Sequence, residues 1–363
     1  MMHLSYCTNV HPAEDLAGII GQLDTYAVAI RAHLDADVLG LGLWLAAPVA
    51  AELAADPAAR HRLRRELDVR GLEVVTLNGF PYKSFQAPVV KHAVYYPDWT
   101  SRERLTYTLD LARILVDLLP ENAERGSISS LPLAWRTPWD ADRSAAAARH
   151  LDELVSGLAA LERPVRVAFE PEPGCVVENT AQAVEHFAGL DTRWLGVCLD
   201  LAHLACAWED PAQSLARLRS AGVPVVKVQL SAALEAADPL AARDVLREYV
   251  EPRFLHQTRS ALGPAADDLD EALDRELPGP WRIHYHVPLH ASPVAPLTAT
   301  TGVLRDAVRE ILAGDDCAHF DVETYTWGVL PESQRPRDAA GLAAGIAAEL
   351  AYARDLLAAG VTR

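Results

Sequence analysis

Short apolar runs recur along the chain, and longer stretches rich in alanine and leucine separate them. Apolar runs of this length predict buried β-strands, especially where β-branched and aromatic residues are frequent. Nine segments fit this description: residues 3–9, 37–45, 73–78, 126–132, 165–170, 195–200, 223–229, 281–287 and 319–323.

The stretches between these runs have a helical pattern. In residues 101–119, the apolar side chains of Leu105, Leu109, Ile114 and Leu118 recur at close to helical spacing, which predicts an amphipathic helix. The same pattern predicts helices over residues 141–161, 210–221, 301–313 and 340–357.

Strands that alternate with helices predict an α/β protein with a parallel sheet. Such a sheet is either open and doubly wound or closed into a (β/α)8 TIM barrel. No GxGxxG or GxxxxGK[ST] motif follows any predicted strand, which favours the closed barrel. Nine predicted strands are one more than a barrel of this type needs.

One segment departs from the alternation. Residues 230–280 contain helix-like sequence, the stretch 251–257 and a turn region rich in Pro, Gly and Asp. We interpret this segment as an insertion that lies over the barrel mouth after the seventh strand. Because no repeat, low-complexity tail or linker occurs elsewhere, we expect residues 1–363 to form a single domain.

The composition narrows the class of protein. Of 363 residues, 50% are hydrophobic and 23% are charged, and the formal net charge is −17. This charge repels phosphate backbones and anionic lipids, so we expect no nucleic-acid partner and no membrane insertion. The first residues lack a signal-peptide pattern, and no apolar run reaches about eighteen residues. We therefore expect a cytoplasmic protein.

The cysteines do not predict a zinc knuckle or a disulfide framework. There are five of them, an odd number, and no two form a CxxC pair. Three of them lie within predicted strands or helices, and we expect these three to be small buried side chains.

Several of the predicted strands end in a polar residue, and in TIM barrels the catalytic residues lie at the ends of the strands. A Pro follows the first of these polar residues and favours an extended exit from its strand. The strand-end residues are Glu170, Asp200 with His203 in a DxxH arrangement, Lys227, Gln229, His284, His286 and Glu323.

Buried carboxylates and imidazoles are costly unless a positive charge neutralises them, and a divalent metal ion does so with directional bonds. Glu170, Asp200, His286 and Glu323 would supply three oxygen ligands and one nitrogen, with His203 beside them. This mixed set suits Mn²⁺, Mg²⁺, Co²⁺, Fe²⁺ or Zn²⁺ and selects none of them.

Structural alternatives exist for each residue. For Glu170 and Glu323, the structural alternative to a functional role is an ion pair with an Arg or Lys at the mouth. Asp200 is a good helix N-cap, His203 would then lie on a helix face, and Lys227 is either a counter-charge or a substrate contact. We expect His256 and His290 to lie in surface loops.

The two histidines at positions 284 and 286 share one face of a strand because side chains alternate along it. If the strand runs toward the mouth, His286 is the ligand and His284 supports the metal through a hydrogen bond. If residues 281–287 instead belong to the insertion, Gln229 alone represents the seventh strand at the site.

A polar, partly aromatic pocket is expected beside the metal. Two catalytic glutamates, Glu170 and Glu323, would exchange protons with a bound substrate. The predicted substrate contacts are Asn78, Phe80, Glu172, Lys227, Gln229, His284 and Trp327.

This arrangement resembles the xylose-isomerase-like barrels, which include sugar isomerases, ketose epimerases, inosose dehydratases and endonuclease IV. The resemblance implies that Glu170, Asp200 with His203, His286 or Gln229, and Glu323 hold the metal. The pair His284-x-His286 is similar to the DxH of endonuclease IV, with His in its first place.

More narrowly, the chain is similar to the EboE-type metabolite-traffic proteins over roughly residues 2–335. The resemblance implies a secondary-metabolite pathway, a small-molecule metabolite as ligand and transient contact with other proteins of the same gene cluster. The matching strings are residues 3–9, 76–82, 126–133, 170–173, 227–229, 284–289 and 322–327.

Three positions depart from the endonuclease IV pattern. Trp44 and Asn78 stand where that enzyme has histidines, and Gln229 replaces the histidine of strand seven. These residues argue against a site with three zinc ions, and the net charge argues against DNA. Two hypotheses remain: a metal-dependent isomerase, epimerase or dehydratase of a small polyhydroxylated or cyclic metabolite, or a barrel that binds and hands over a metabolite without turning it over.

Overall fold

The computed structural model describes residues 2–314 and 317–361. The strands are β1 His3–Cys7, β2 Leu39–Trp44, β3 Leu72–Asn78, β4 Gly126–Ser130, β5 Val165–Phe169, β6 Leu195–Asp200, β7 Val225–Leu230, β8 Ala233–Ala236, β9 Thr258–Ser260, β10 Ala265–Ala266, β11 Trp281–His286, β12 Thr298–Ala299 and β13 His319–Val322.

Helices follow most of the barrel strands. They are α1 Leu16–Gln22, α2 Val28–His33, α3 Ala47–Ala55, α4 Pro57–Asp68, α5 Arg102–Leu118, α6 Ala141–Ala159, α7 Thr180–Phe187, α8 Leu201–Cys206, α9 Pro211–Ser220, α10 Arg243–Arg247, α11 Leu269–Asp274, α12 Thr301–Gly314 and α13 Ala339–Val361.

Eight parallel strands close into a barrel in the order β1-β13-β7-β6-β5-β4-β3-β2. Ser5 of β1 pairs with Gly40 on one side and with Asp321 of β13 on the other, and this second pairing closes the ring. The predicted (β/α)8 TIM barrel is confirmed.

The surplus predicted strand, residues 281–287, belongs to a second sheet. β11 pairs antiparallel with β8 and β9, in a five-stranded sheet ordered β10-β9-β11-β8-β12. The insertion therefore does not end at residue 280, as the sequence indicated, but continues to β12. The apolar pattern cannot separate the two cases, because a short buried strand of either sheet has the same composition.

Two glycines in β2 make space inside the barrel. The sequence of this strand alternates, so Leu39, Leu41 and Leu43 share one face and the two glycines share the other. A Cβ atom on Gly42 would lie 2.1 Å from the Asp321 carboxylate, and one on Gly40 would lie 2.3 Å from a backbone oxygen. Glycine at position 42 therefore leaves room for a charged side chain inside the barrel, and glycine at position 40 allows the close approach of the β1 backbone.

That charged side chain forms an ion pair with a lysine. Lys227 Nζ lies 2.8 Å from Asp321 Oδ2, and both side chains are fully buried. Ser5 Oγ donates to the other carboxylate oxygen at 2.7 Å. Burial disfavours the charged ammonium, but Asp321 outweighs it and raises the pKa of Lys227 above its ordinary value. Of the two roles expected for Lys227, the structure shows the counter-charge.

We expect Lys227→Met to lower the free energy of unfolding by about 3–5 kcal/mol, because it leaves the Asp321 carboxylate buried and unpaired. Urea denaturation at neutral pH measures this change. The double variant Lys227→Met/Asp321→Asn should recover more than half of the loss. A single-variant loss no larger than that of the double variant would contradict the role of the pair.

Helix α13 carries a second buried charge, Glu349. Its carboxylate accepts hydrogen bonds from the Thr324 hydroxyl at 2.7 Å, the Leu289 amide at 3.0 Å and the Trp327 indole at 3.2 Å. Burial raises the pKa of Glu349 to about 7, although these three donors oppose the shift.

We expect this glutamate to make stability depend on pH. The pKa of Glu349 is higher in the folded state than the unfolded value of about 4.5. Its contribution to stability is therefore complete below about pH 4.5 and is lost as the pH rises through about 7. The shift corresponds to a change in the free energy of unfolding of about 3 kcal/mol. The difference in unfolding free energy between the wild type and Glu349→Gln should therefore change between pH 4.5 and 8. A difference that is constant across this range would refute the assignment.

Two further expectations are tested by the fold. All five cysteines, Cys7, Cys175, Cys198, Cys206 and Cys317, are free of disulfides, and all five are buried, two more than the sequence indicated. In the part of the chain that the structure describes, no helix combines the length and apolar character needed to cross a bilayer.

Candidate metal centre and cavity

Three acidic side chains meet at the carboxyl ends of barrel strands. Glu170 follows β5, Asp200 ends β6 and Glu323 follows β13, and each is at most 4% exposed. Parallel strands bring their carboxyl ends to one rim, which explains why residues so far apart in the sequence come together.

These acids form two overlapping groups with histidines. Asp200, His286 and Glu323 each offer a ligand atom within 4.8 Å of the others, and the same holds for Glu170, Asp200 and His203. Asp200 belongs to both groups, so it lies at the centre of the cluster.

Asp200 combines both roles that the sequence left open. Its Oδ1 caps α8 by accepting the amides of Ala202 and His203, both at 2.9 Å, and also accepts the Ser231 hydroxyl at 2.8 Å. Its Oδ2 lies 3.8 Å from His286 Nε2. Burial opposes ionisation of Asp200, but His203, His286 and the donors lower its pKa below the ordinary value.

His286 reaches the cluster from β11 of the insertion. Its Nδ1 lies 2.7 Å from the Glu323 carbonyl oxygen. A carbonyl only accepts, so Nδ1 carries the hydrogen and Nε2 presents its lone pair. Ligating histidines commonly donate their second N–H to such an acceptor.

Glu323 is oriented by amide side chains. Its Oε1 accepts from Asn9 Nδ2 at 2.7 Å and from Asn78 Nδ2 at 2.8 Å, and its Oε2 accepts from Gln229. Burial, followed by the charge of Asp200, raises the pKa of Glu323 to about 8. Gln229 therefore positions a carboxylate, and the nitrogen comes from His286.

Glu170 forms no ion pair with an Arg or Lys among the described residues. Its Oε1 lies 3.5 Å from His203 Nδ1. Burial raises the pKa of Glu170 well above its ordinary value, and the charges of Glu323 and Asp200 add to the shift.

Three buried acceptor atoms in this cluster have no hydrogen-bond partner within the described part of the chain: Glu170 Oε2, Asp200 Oδ2 and His286 Nε2. A buried polar atom without a partner is costly. Two carboxylate oxygens and one imidazole nitrogen are suitable ligands for a divalent cation, so the residues present fit the metal that the sequence predicts.

His203 and His284 face each other, with 2.9 Å between their Nε2 atoms. His203 Nδ1 donates to the Pro171 carbonyl at 3.0 Å. His284 Nδ1 donates at 2.8 Å to the Gln257 amide oxygen, because the amide nitrogen of Gln257 itself donates to Pro173 O. Both Nε2 atoms thus carry lone pairs, and a shared proton or a cation relieves their repulsion.

Burial disfavours the shared proton. It lowers the pKa of His203 to about 4, and it lowers the pKa of His284 well below its ordinary value. The two strand histidines share one face as expected, with ring centroids 5.2 Å apart. However, the structure places His284 against His203 and not as a support of His286.

A cavity opens beside the cluster. The space between its walls, including open solvent at the mouth, is about 480 Å³. Of the predicted substrate contacts, Asn78, Phe80, Glu172 and His284 line it. The other lining residues are Asn9, Pro81, Phe85, Val90, Lys91, Val94, Tyr95, Glu170, His203, Phe254, Leu255, Glu323 and Tyr325.

The structure does not bring Lys227, Gln229 or Trp327 into this cavity. The first two lie inside the barrel. Trp327 lines a different cavity, together with His290. The helical turn Tyr325–Val329 sends Tyr325 to the site and Trp327 toward α13, where the Trp327 ring lies so close to Gly345 that a Cβ there would be 2.6 Å from it.

Two residues at or beside the cavity were not among the predicted substrate contacts. Tyr95 donates to Glu172 Oε1 at 2.6 Å and accepts from Gln257 at 2.7 Å. His256 is not a surface residue: it is fully buried between Glu251 Oε1 at 2.8 Å and the His284 carbonyl at 3.0 Å. Irregular segments such as 251–257 have no periodicity, so the sequence did not indicate which side chains point inward. His290, in contrast, is exposed as expected.

Comparison with known proteins identifies the family. The sequence model of the Xylose isomerase-like TIM barrel family matches residues 32–256, and the chain belongs to this family. A search of curated protein sequences finds no significant match.

Solved structures share the fold at low sequence identity. A xylose isomerase-like TIM barrel protein of Mycobacterium smegmatis in complex with magnesium is 13% identical, with a TM-score of 0.59, and the match covers 99% of this chain and 98% of that one. D-psicose 3-epimerase of Clostridium cellulolyticum H10 with D-tagatose is 12% identical, with a TM-score of 0.53 over 98% and 99% of the two chains. AsbF of Bacillus anthracis, a "probable 3-DHS dehydratase", is 13% identical, with a TM-score of 0.52 over 98% and 99%.

Proposed function

We propose that the protein is a metal-dependent isomerase, epimerase or dehydratase that acts on a small polyhydroxylated or cyclic metabolite. One observation carries the proposal: three buried ligand atoms without partners among the described residues lie beside two glutamates whose pKa values are raised. Structural relatives named as epimerases, and one named as a dehydratase, support the reaction class.

Glu170, Asp200, His286 and Glu323 would hold the cation. When bound, it polarises a substrate oxygen and so acidifies the neighbouring C–H bond. Asp200 is fixed by its contacts with α8, and Glu323 is fixed by the amides of Asn9, Asn78 and Gln229. These contacts hold the two carboxylate groups in position for the cation.

Glu170 and Glu323 are the proposed acid and base. Strands β6 and β7 separate β5 from β13, so the two glutamates approach the site from different sides of the rim. A carboxylate beside the substrate can accept a proton and, once protonated, can donate it back. One glutamate takes the proton from carbon and the other returns one to the substrate, which balances an isomerisation or epimerisation. In a dehydration, the second proton instead goes to the departing hydroxyl group, which leaves as water.

The motifs that resemble EboE-type proteins support a narrower assignment, which we include in the proposal. The ligand would then be a small metabolite of a secondary-metabolite pathway in the cytoplasm, and other proteins of the same gene cluster would contact the barrel transiently.

Two measurements test the proposal. Protein purified without chelator should contain near-stoichiometric divalent metal by elemental analysis. A panel of sugars and cyclitols incubated with the metal-loaded protein in D2O should yield at least one compound with deuterium at a carbon next to oxygen. Binding without exchange and without a metal requirement would instead support a hand-over protein.

A further inference from the structure

The cavity has a polar base and apolar walls. Strand-end residues such as Glu170, Glu323 and Asn78 form the base. The walls come from the loop after β3, from the insertion and from the turn after β13, all of which lie above the rim. Their side chains include Phe80, Phe85, Val90, Phe254, Leu255 and Tyr325.

Three of the wall residues form one aromatic cluster. The ring centroids of Phe85 and Phe254 are 5.2 Å apart, those of Phe85 and Tyr325 are 5.3 Å apart, and those of Phe254 and Tyr325 are 4.8 Å apart. Each ring comes from a different segment, so their mutual packing holds the wall rigid. Such a surface gains free energy by burying an apolar group of a ligand and gains none from a hydroxyl.

The cavity offers no free positive charge among the described residues that line it. Lys91 is the lining residue with a cationic side chain, and it forms an ion pair with Asp268 and donates to the Glu251 carbonyl at 3.3 Å. A phosphate or carboxylate group on the ligand would therefore find no unpaired cationic side chain among these lining residues.

We infer that the ligand is an uncharged molecule with a polyol end, which binds at the base, and an apolar substituent, which packs against the walls. As a statement about substrate, this inference rests on the proposed function. It excludes phosphorylated sugars.

The test compares three forms of each of three polyols. Glucose, ribitol and myo-inositol are each measured as the free polyol, as a monobenzyl ether and as a monophosphate, by calorimetric titration of the metal-loaded full chain. At least one benzyl ether should bind about tenfold or more tightly than its parent, and no phosphate should bind more tightly than its parent. A phosphate that binds tightest, or no preference in any of the three series, would overturn the inference.

Paired variants test whether the binding preference comes from the cavity walls or from another part of the surface. Phe254→Ala should remove most of the benzyl preference, whereas Leu262→Ala, in the same insertion at 68% exposure, should preserve it. Val94→Lys places a cation at a half-buried wall position and should turn the preference toward the phosphate. Val89→Lys, five residues away and 62% exposed, is its control. If both wall variants leave the binding ratios unchanged, the inference is wrong.

The two proposals fail in different ways. Metal-dependent exchange on a phosphorylated compound would overturn the ligand class and support the reaction. A preference for the benzyl ether without deuterium exchange, whichever metal is loaded, would contradict the proposed reaction and support the proposed class of ligand.

Discussion

Glu323→Gln should lower metal-dependent deuterium incorporation by about 10²–10⁴-fold for whichever panel compound exchanges, because an amide cannot accept the proton that the carboxylate takes. The measurement is NMR of the substrate carbon in D2O at saturating metal, so that weaker metal binding does not limit the rate. Circular dichroism confirms folding.

Glu73→Gln is the matched control. Glu73 lies on the second residue of β3, 3.5 Å from His3 and at the opposite end of the barrel from the cluster. The Glu73→Gln variant should incorporate deuterium at the wild-type rate. A Glu323→Gln variant with a wild-type rate would show that this carboxylate has no part in proton transfer.

His286→Ala should abolish tight metal binding, whereas His284→Ala should weaken it by roughly ten- to a hundredfold. His286 Nε2 faces Asp200 directly, with a lone pair and no hydrogen-bond partner among the residues described. His284 Nε2 instead faces His203 Nε2 at 2.9 Å, and a ligand atom of His284 also lies within 4.8 Å of one of His286. Competition with a chromophoric chelator at neutral pH measures both affinities.

The exposed histidine of the same insertion, His290, provides the control, and His290→Ala should leave affinity unchanged. If His284→Ala has the larger effect, the metal lies between the two facing Nε2 atoms of His203 and His284, and the proposed ligand set is wrong.

The sequence predicted the barrel because short apolar runs alternate with helical stretches along most of the chain. The rule that chemistry lies at strand ends then located Glu170, Asp200 and Glu323, and the structure brings these three together. The rule requires only that strands be parallel and adjacent, so it does not depend on the details of loops.

The sequence was less informative where a residue acts from a loop or from the second sheet. The pattern of β11 is that of any buried strand, so its place outside the barrel followed only from its pairing with β8 and β9. Its histidines still reach the cluster, because the insertion folds over the rim. Trp327 and Tyr325 are two residues apart but point to different cavities, since a helical turn does not keep alternate residues on one face.

The delivery of His286 from outside the barrel has a consequence for metal selectivity. Of the four residues proposed to hold the cation, those at the ends of barrel strands contribute only carboxylate oxygens, a hard ligand set that suits Mg²⁺. The imidazole shifts the preference toward later transition metals such as Co²⁺ and Zn²⁺. Selectivity among metals is therefore encoded in a segment that is separate from the barrel core, and substitutions in β11 can retune it without disturbing the strands that hold the acids.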